Sequence, residues 1–329
     1  MPSKIRWGIL GPGAIAHSFA EDLKRVEDAQ LVAVGSRDAQ RARRFAQKFD
    51  IPHAFDSYQA LARFEELDVI YIATPHSRHY EDMLLCLEFN KHILCEKSFT
   101  INARQAKEVL RIARQKKLFV MEAMWTRFLP VIFKLRQLLQ AGEIGRLIMM
   151  TADLGFNFPF HPEHRVFNPH LGGGALLDVG IYPLSLCHYL MGVPDELTTL
   201  AYLGQTNVDE LASVIFKYQD GRMANLYASL RSHTPSDAVF MGTEGVIRLL
   251  PPLYRPTGIS LKKAGQQEQL IKAEWEGNGY LYEAREVGRC LKQGKLESAI
   301  MPHEDTIIIM ELMDSIRAQW GLTYPMEAR

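Results

Sequence analysis

Ile5-Arg-Trp-Gly-Ile-Leu10-Gly11-Pro-Gly13-Ala14-Ile15-Ala16 is the stretch on which the reading of this chain turns. A run of strand character passes straight into G-x-G-x-x-A, and Ile15, Phe19, Leu23 and Val26 then recur at helical spacing. Gly11 permits a tight turn, Gly13 lets the backbone approach a pyrophosphate, and the small Ala16 lets helix and strand pack closely. A helix opening at Ala14 and Ile15 offers N–H groups and a partial positive charge to phosphate. The plainer alternative is a tight turn with no ligand. The motif's place at the first strand–helix junction of an alternating chain argues against it.

The alternation continues outward. Leu31–Gly35, Val69–Ala73, His92–Cys95 and Leu118–Met121 read as strands. Between them Ala39–Phe49, a Ser57-capped segment to Glu66, His79–Phe89 and an Asn102-capped segment to Lys117 read as helices. Repeated strand–helix units imply a parallel sheet with helices on both faces. After Ala123 the rhythm changes: a helix over Phe128–Ala141, a strand over Arg146–Gly155, and a His-, Pro- and Phe-rich loop over Phe156–His170. Gly172-Gly173-Gly174 then opens a helical stretch to Met191, strands fill Glu196 to Ile271, and helices over Gly279–Gln293 and His303–Gln319 close the chain. The expected fold is α/β. A Rossmann doubly wound sheet over residues 1–123 binds a dinucleotide, and an α+β domain over 124–329, with an open and largely antiparallel sheet, serves substrate binding and dimerisation.

Composition narrows the classes. The 329 residues carry 38 basic and 38 acidic side chains, so no general affinity for nucleic acid or an anionic membrane follows. No apolar run has the length of a membrane span. The start, MPSKIRWGIL, shows no long apolar leader region. Cys86, Cys95, Cys187 and Cys290 match no metal spacing and suit a reducing cytoplasm. His161, His164 and His170 lack the context of ligands, so no metal is expected.

The end of the second strand bears on the cofactor. An acid for the ribose is expected about 20 residues past the motif, but Ser36 and Arg37 stand there and Asp38 comes late. A hydroxyl and a guanidinium suit a 2′-phosphate, which favours NADP(H) over NAD(H); the alternative is a solvated Arg37. Thr74-Pro75-His76-Ser77-Arg78-His79 falls at the same carboxyl edge. Thr74 and Pro75 suit the nicotinamide ribose, with His76 and His79 beside them, unless His79 merely begins the next helix. Glu96-Lys97 ends the following strand on that edge, where Lys97 either meets the cofactor or snorkels at the surface. Asp178 and Tyr182 share a helix face four residues apart, and Pro183 implies a kink there. A Tyr near a Lys can act as acid/base, because the ammonium favours the phenolate; a core aromatic is the alternative. Phe156, Phe158, Phe160 and Arg165 lie on the long loop, which either walls a substrate pocket or packs on its own domain. The strands Ser213–Tyr218 and Met223–Leu230 alternate, with Val214, Phe216 and Tyr218 on one face and Ile215 on the other. A sheet covered on one side needs cover on the other if that face is apolar, which points to a homodimer.

Together, Gly11-x-Gly13-x-x-Ala16, Ser36-Arg37, Ala73-Thr74-Pro75, Cys95-Glu96-Lys97 and Gly173-Gly174-Ala-Leu-Leu-Asp178-x-Gly180-x-Tyr182 resemble the Gfo/Idh/MocA oxidoreductases over nearly the whole chain. Glu122-Ala-Met-Trp125-Thr-Arg127-Phe128 and Gly-Ile-Tyr182 look most like the dimeric dihydrodiol dehydrogenase branch, which includes NADP-dependent D-xylose dehydrogenases. The resemblance implies Lys97 and Tyr182 as the catalytic pair, Asp178 as a nearby polar partner, and Trp125 and Arg127 as pocket residues by the cofactor. It implies hydride transfer between nicotinamide and a sugar, polyol or cyclic diol, with a sugar-ketone reductase or a non-catalytic dinucleotide-binding regulator as alternatives. Two departures stand out: Ser98 where the family has Pro after Glu-Lys, and His76 where Asn is common after Thr-Pro. The expectation is that the strand before it still places Lys97.

Overall fold

The computed structural model describes residues 4–328. The leader reading begins on residues 1–3, which lie outside them. The chain divides into two compact units. One comprises the residues up to Trp125 together with Glu276–Ile307, the other Thr126–Trp275 with the residues from Ile308 onward. The division differs from a single cut after Ala123, because residues 276–307 return to the first unit. Amphipathic periodicity predicts that segment's helix and says nothing of the surface it covers.

In the first unit six parallel strands run β1 (Ile5–Leu10), β2 (Ala29–Gly35), β3 (His53–Phe55), β4 (Val69–Ile72), β5 (His92–Glu96) and β6 (Val120–Ala123). Their order is β3-β2-β1-β4-β5-β6, the doubly wound Rossmann arrangement. The connecting helices are α1 (Ala14–Leu23), α2 (Ala39–Phe49), α3 (Tyr58–Arg63), α4 (His76–Glu88) and α5 (Ala103–Lys116). Strands buried on both faces need near-continuous apolar runs, and Val69–Ile72 and Ile93–Cys95 are 0% exposed throughout. Leu10 pairs with Gly35 and with Ile72, and Ile72 with Cys95, so the strands end together at one edge. Ser57 and Asn102 cap α3 and α5 as expected, each accepting a backbone N–H.

Three details differ from expectation. β3 was not foreseen; three residues are too few for a periodic signal. α3 stops at Arg63, short of Glu66. α4 starts at His76 and not at His79, because Pro75, with φ −61°, is preset for a helix entry. After the strands, α8 (Leu281–Lys292) joins this unit through Asp22. That fully buried carboxylate accepts the backbone N–H groups of Asn278 and Tyr280, each at 2.8 Å, and of Leu281 at 3.3 Å.

The second unit holds α6 (Pro130–Gln140), α7 (Ile181–Met191) and eight strands. These are β7 (Leu147–Gly155), β8 (Glu196–Leu203), β9 (Asp209–Lys217), β10 (Met223–Ser229), β11 (Ala238–Gly242), β12 (Gly245–Leu250), β13 (Gly258–Lys263) and β14 (Gln269–Lys272). Their order is β14-β13-β12-β11-β7-β10-β9-β8. The β7–β10 pair is parallel and the others are antiparallel. The last helix, α9 (His303–Trp320), contains the boundary between the two units. Gly172–Gly174 leads to a π-helical turn, Leu176–Gly180, which feeds directly into α7. The kink expected at Tyr182 is not there: Tyr182 and Pro183 lie in the first turn of α7, where proline is tolerated, and the irregular backbone ends before them at Gly180. Among the described residues no helix is long and apolar enough to cross a membrane. All four cysteines are buried and unbridged.

Candidate functional site

The phosphate turn of the first unit is shaped by close approach. Gly11 has φ +91°, and a Cβ on it would meet Thr74 Cγ2 at 2.9 Å and Ala73 O at 3.2 Å. Glycine is thus required there for conformation and for space. Gly13 stands at the head of α1 with nothing nearer its would-be Cβ than Ala73 O at 3.8 Å. α1 has neither a side-chain cap nor an acid in its first turn, so Ala14 and Ile15 open a helix N-terminus suited to an anion. Ala16 is fully buried.

At the end of β2, Ser36 is buried and its hydroxyl accepts the Asp38 N–H at 3.1 Å. Asp38 caps α2, accepting from Gln40 N at 2.9 Å and Arg41 N at 3.1 Å. The Arg41 N–H bond leads in holding this exposed carboxyl below the usual carboxylate range. The acid that follows Arg37 is thus committed to its own helix. Arg37 is exposed, its guanidinium 6.0 Å from the Tyr58 ring centre.

The segment after β4 is rigidly tied. Thr74 donates its hydroxyl to buried Asp82 at 2.8 Å, and Arg78 donates to the same carboxylate at 3.0 Å. Burial is the first cause raising the Asp82 carboxyl above its ordinary value. Starting α4 at His76 places His76 and His79 a turn apart, their rings 5.7 Å from centre to centre. His79 is fully buried, with Nε2 2.8 Å from Thr74 O and Nδ1 2.8 Å from Ser98 O. It fastens the end of β4 to the turn that follows Lys97. Burial lowers the His79 pKa; the two carbonyl partners oppose it by favouring N–H on both nitrogens.

Lys97 is half-buried at the end of β5. Glu96 accepts the Tyr71 hydroxyl at 2.5 Å and the Lys97 N–H at 3.3 Å. Burial first, then Glu96, raises the Tyr71 phenol well above its ordinary pKa. The Lys97–Ser98 peptide is cis and Ser98 is fully buried. Beyond it Phe99 donates its N–H to Glu122 at 3.2 Å, and Glu122 also accepts Thr306 Oγ1 at 3.0 Å. The strand before Lys97 is therefore one of several supports. Trp125 is buried, its ring 4.5 Å from that of Tyr280.

The remaining expected residues lie in the second unit. Arg127 is buried and donates Nε to Ser185 Oγ at 2.9 Å, its guanidinium 4.9 Å from the Tyr189 ring. Those partners belong to α7. Arg165 holds Asp178 bidentately at 2.8 and 3.2 Å, so two residues read separately form one pair. Tyr182 is half-buried, its ring centre 6.1 Å from Tyr254, which lies 6.1 Å from Phe156. Phe156 is 5.8 Å from Phe158, whereas Phe160 packs on Phe167. Tyr254 was not foreseen; the Pro-Pro-Leu-Tyr-Arg-Pro turn that carries it was its one signal. No group of three or more His, Cys, Asp or Glu placed to hold a metal occurs among the described residues.

Residues 5–124 match a family model described as an oxidoreductase family, NAD-binding Rossmann fold, and residues 132–248 match the GFO/IDH/MocA C-terminal domain. The chain is 36% identical to a D-xylose 1-dehydrogenase (NADP(+)) of Hypocrea jecorina, over 98% of this chain and 94% of that one. It is 34% identical to a trans-1,2-dihydrobenzene-1,2-diol dehydrogenase of Mus musculus, over 99% of each. A 3-ketoreductase from Actinomadura kijaniata, solved with NADP and TDP-benzene, shares the fold at a TM-score of 0.88 and 22% identity, covering 96% of this chain and 98% of its own. An aldose-aldose oxidoreductase from Caulobacter crescentus does so at 0.88 and 19%, covering 97% and 98%.

His79→Ala removes the ring that lies between two buried carbonyls, at a cost of about 1–3 kcal/mol for the bond that a neutral imidazole donates. The variant is expected to unfold at lower urea concentration and to bind a nicotinamide dinucleotide, NAD⁺ or NADP⁺, more weakly in a fluorescence titration. Unchanged affinity would show that the tie between Thr74 and Ser98 does not hold the cofactor edge.

Proposed function

The chain belongs to the Gfo/Idh/MocA oxidoreductase family, and on that premise we propose that it moves a hydride between NADP(H) and a carbinol or carbonyl carbon of a sugar, polyol or cyclic diol. The observation that carries the reading is convergence. The Gly11–Ala16 turn, the Thr74–His79 segment and Glu96–Lys97 end on one edge of a parallel sheet, where dinucleotides bind. The residues fit such a cofactor: a Cβ-intolerant turn, an uncapped helix N-terminus, and a β2 end whose Asp38 is occupied in capping. Gly11, Gly13, Ala14, Ile15 and Ala16 hold the pyrophosphate. Ser36 and Arg37 take the 2′-phosphate. Thr74, Pro75, His76, His79, Glu96, Trp125 and Arg127 border the nicotinamide half.

The bound nicotinamide supplies the hydride acceptor or donor. Tyr182 Oη accepts the substrate hydroxyl proton in oxidation and returns it in reduction. Lys97 stabilises the phenolate, and Asp178 with Arg165 orders the polar side of the site. Phe156 and Tyr254 give the substrate's apolar face a surface. The relatives' names, a D-xylose dehydrogenase and a dihydrodiol dehydrogenase, support the substrate class. Four buried free thiols agree with work in a reducing compartment, the cytoplasm.

A second copy of the chain is the partner we propose for the open face of the eight-stranded sheet. Val214, Phe216 and Tyr218 are buried, so the other face is the open one, with Leu200 81% exposed and Tyr202, Ile215, Met223 and Tyr227 exposed beside it. Replacing both Leu200 and Ile215 by Asp is expected to convert a dimer to a monomer in sedimentation velocity. A monomer before substitution would remove the proposal.

The activity test is an absorbance assay over aldoses, polyols and trans-1,2-diols, with NADP⁺ or NAD⁺ supplied. NADP⁺ is expected to be preferred, and preference for NAD⁺ would overturn the role given to Arg37. Positioned proton transfer is worth about 10²–10⁴ in rate, so Tyr182→Phe should lose at least about a hundredfold in kcat while still binding NADP⁺. Near-normal turnover would sink the acid/base role.

A further inference from the structure

Asp209 and Tyr324 meet at the glycine turn from which the Asp178–Tyr182 segment springs, and the reaction above uses neither. Gly172 and Gly174 have φ of +73° and +119°, a region that favours glycine. A Cβ on Gly174 would lie 2.2 Å from Asp209 Oδ1 and 3.0 Å from Tyr324 Oη. Both side chains are thus packed directly on the backbone of the turn.

Each also bonds to it. Asp209 opens β9 and is fully buried. Its Oδ2 accepts the Leu176 N–H, the first of the π-helical turn, at 2.6 Å. Its Oδ1 has no hydrogen-bond partner among the described residues. Tyr324, 2% exposed, donates its hydroxyl to Gly173 O at 2.5 Å. Behind it stands a hook made by the end of the described chain. Tyr324 N donates to Glu327 at 2.7 Å, and Glu327 accepts Arg317 at 2.8 and 3.1 Å. Arg317 also donates to Asp314 at 2.7 Å, with its guanidinium 5.1 Å from the Tyr324 ring centre. The Arg317 side chain is only 4% exposed, so this ion-paired group is interior.

A cap would require only the Asp209–Leu176 bond. Here an acceptor from β9 and a donor from the chain's end, remote from each other in sequence, hold an N–H and a C=O on either side of Gly174. The turn's own backbone bonds reach back to the Phe156–His170 loop: Gly173 N to Asn168 O at 3.0 Å and Gly174 N to Val166 O at 2.9 Å. Without the two side chains the head of the π-helical turn would be held by these backbone bonds and the Arg165–Asp178 pair alone. Proton transfer tolerates little freedom there, since reacting groups must be held within about 0.5 Å of the productive geometry.

We propose that Asp209 and Tyr324 are positioning residues that clamp the Gly172–Gly174 turn, so that the Asp314–Glu327 hook sets the placement of the Tyr182 phenol. The inference rests on Tyr182 being the acid/base. Its test uses the full chain and two readouts. Hydrogen exchange at the Gly174–Asp178 amides reads the clamp without turnover. kcat against KM for NADP⁺ reads its consequence, with D-xylose as probe, or trans-1,2-dihydrobenzene-1,2-diol if D-xylose is not oxidised. In Tyr324→Phe, exchange there is expected to rise at least about tenfold and kcat to fall about tenfold, within the 10² that a 1 Å misplacement can cost, with KM for NADP⁺ unchanged. Tyr182→Phe should be slowed no further by adding Tyr324→Phe. If Tyr324→Phe does not fold, the same readouts apply to Asp209→Asn, which keeps an acceptor and should stay near the parent, and Asp209→Ala, which should not. Unchanged exchange would overturn the clamp, as would unchanged kcat, or equal damage to kcat and to NADP⁺ binding, where Tyr182→Phe is itself impaired. Near-normal turnover of Tyr182→Phe with faster exchange in Tyr324→Phe would instead fault the acid/base reading and leave the clamp standing.

Discussion

The closeness of the Gly11 turn to the backbone after β4 constrains everything else at the sheet edge. A single added carbon at Gly11 would press on Thr74 and on Ala73 O. With that contact set, the end of β1, the head of α1 and the Thr74–His79 segment can occupy one place. The strand pairings then bring Glu96 and Lys97 to the same edge. Thr74 is braced in turn by Asp82 and Arg78, and His79 carries the brace to Ser98. Small residues supply the space, and buried polar residues supply the ties.

Buried carboxylates recur as the means of fixing irregular backbone in both units. Asp22 gathers the N–H groups that open α8, Glu122 takes the N–H after the Lys97 turn, and Asp209 takes the N–H that opens the π-helical turn. A loop at a site cannot form the ladders of a sheet or helix, yet its buried amides must be satisfied. An acid from a distant element does this with directional bonds, charge-assisted where the carboxyl is ionised. Burial raises the Asp209 carboxyl to about 7, which shows how strongly its surroundings resist the charge. Sign follows from that direction: this group favours the folded state most below the ordinary carboxylate pKa and progressively less as pH climbs to about 7.

Much of this was legible from residues alone, and the misses share a cause. Ser57 and Asn102 were readable as caps because a cap is a local event, one side chain bonding an amide three residues on. The apolar runs of β1, β4 and β5 were readable because burial on both faces demands them. Three-residue β3 and the α4 start at His76 lay below the resolution of periodicity. The Arg165–Asp178 pair, Tyr254 beside Tyr182, and the return of residues 276–307 to the first unit are long-range events. Nothing local in sequence marks them, since each depends on how strands already formed bring distant loops together. Arg127 illustrates the same limit, because its bonds to Ser185 on α7 span 58 positions of sequence.

Ser98 shows what the long-range contacts achieve. A proline here, as the family resemblance leads one to expect, would fix its own φ through its ring. Serine brings no such restraint. At this turn the restraint is spread over three neighbours: His79 against Ser98 O, Glu122 on Phe99 N, and Glu96, itself held by Tyr71, on Lys97 N. Each bond is individually worth about 0.5–1.5 kcal/mol net, more where a charge takes part. Together they bracket Lys97 on both sides. This turn is thus held by a network that exists only once β4, β5 and β6 are side by side, and not by a local covalent restraint. The position of the lysine is consequently a property of the folded sheet and not of its own tetrapeptide.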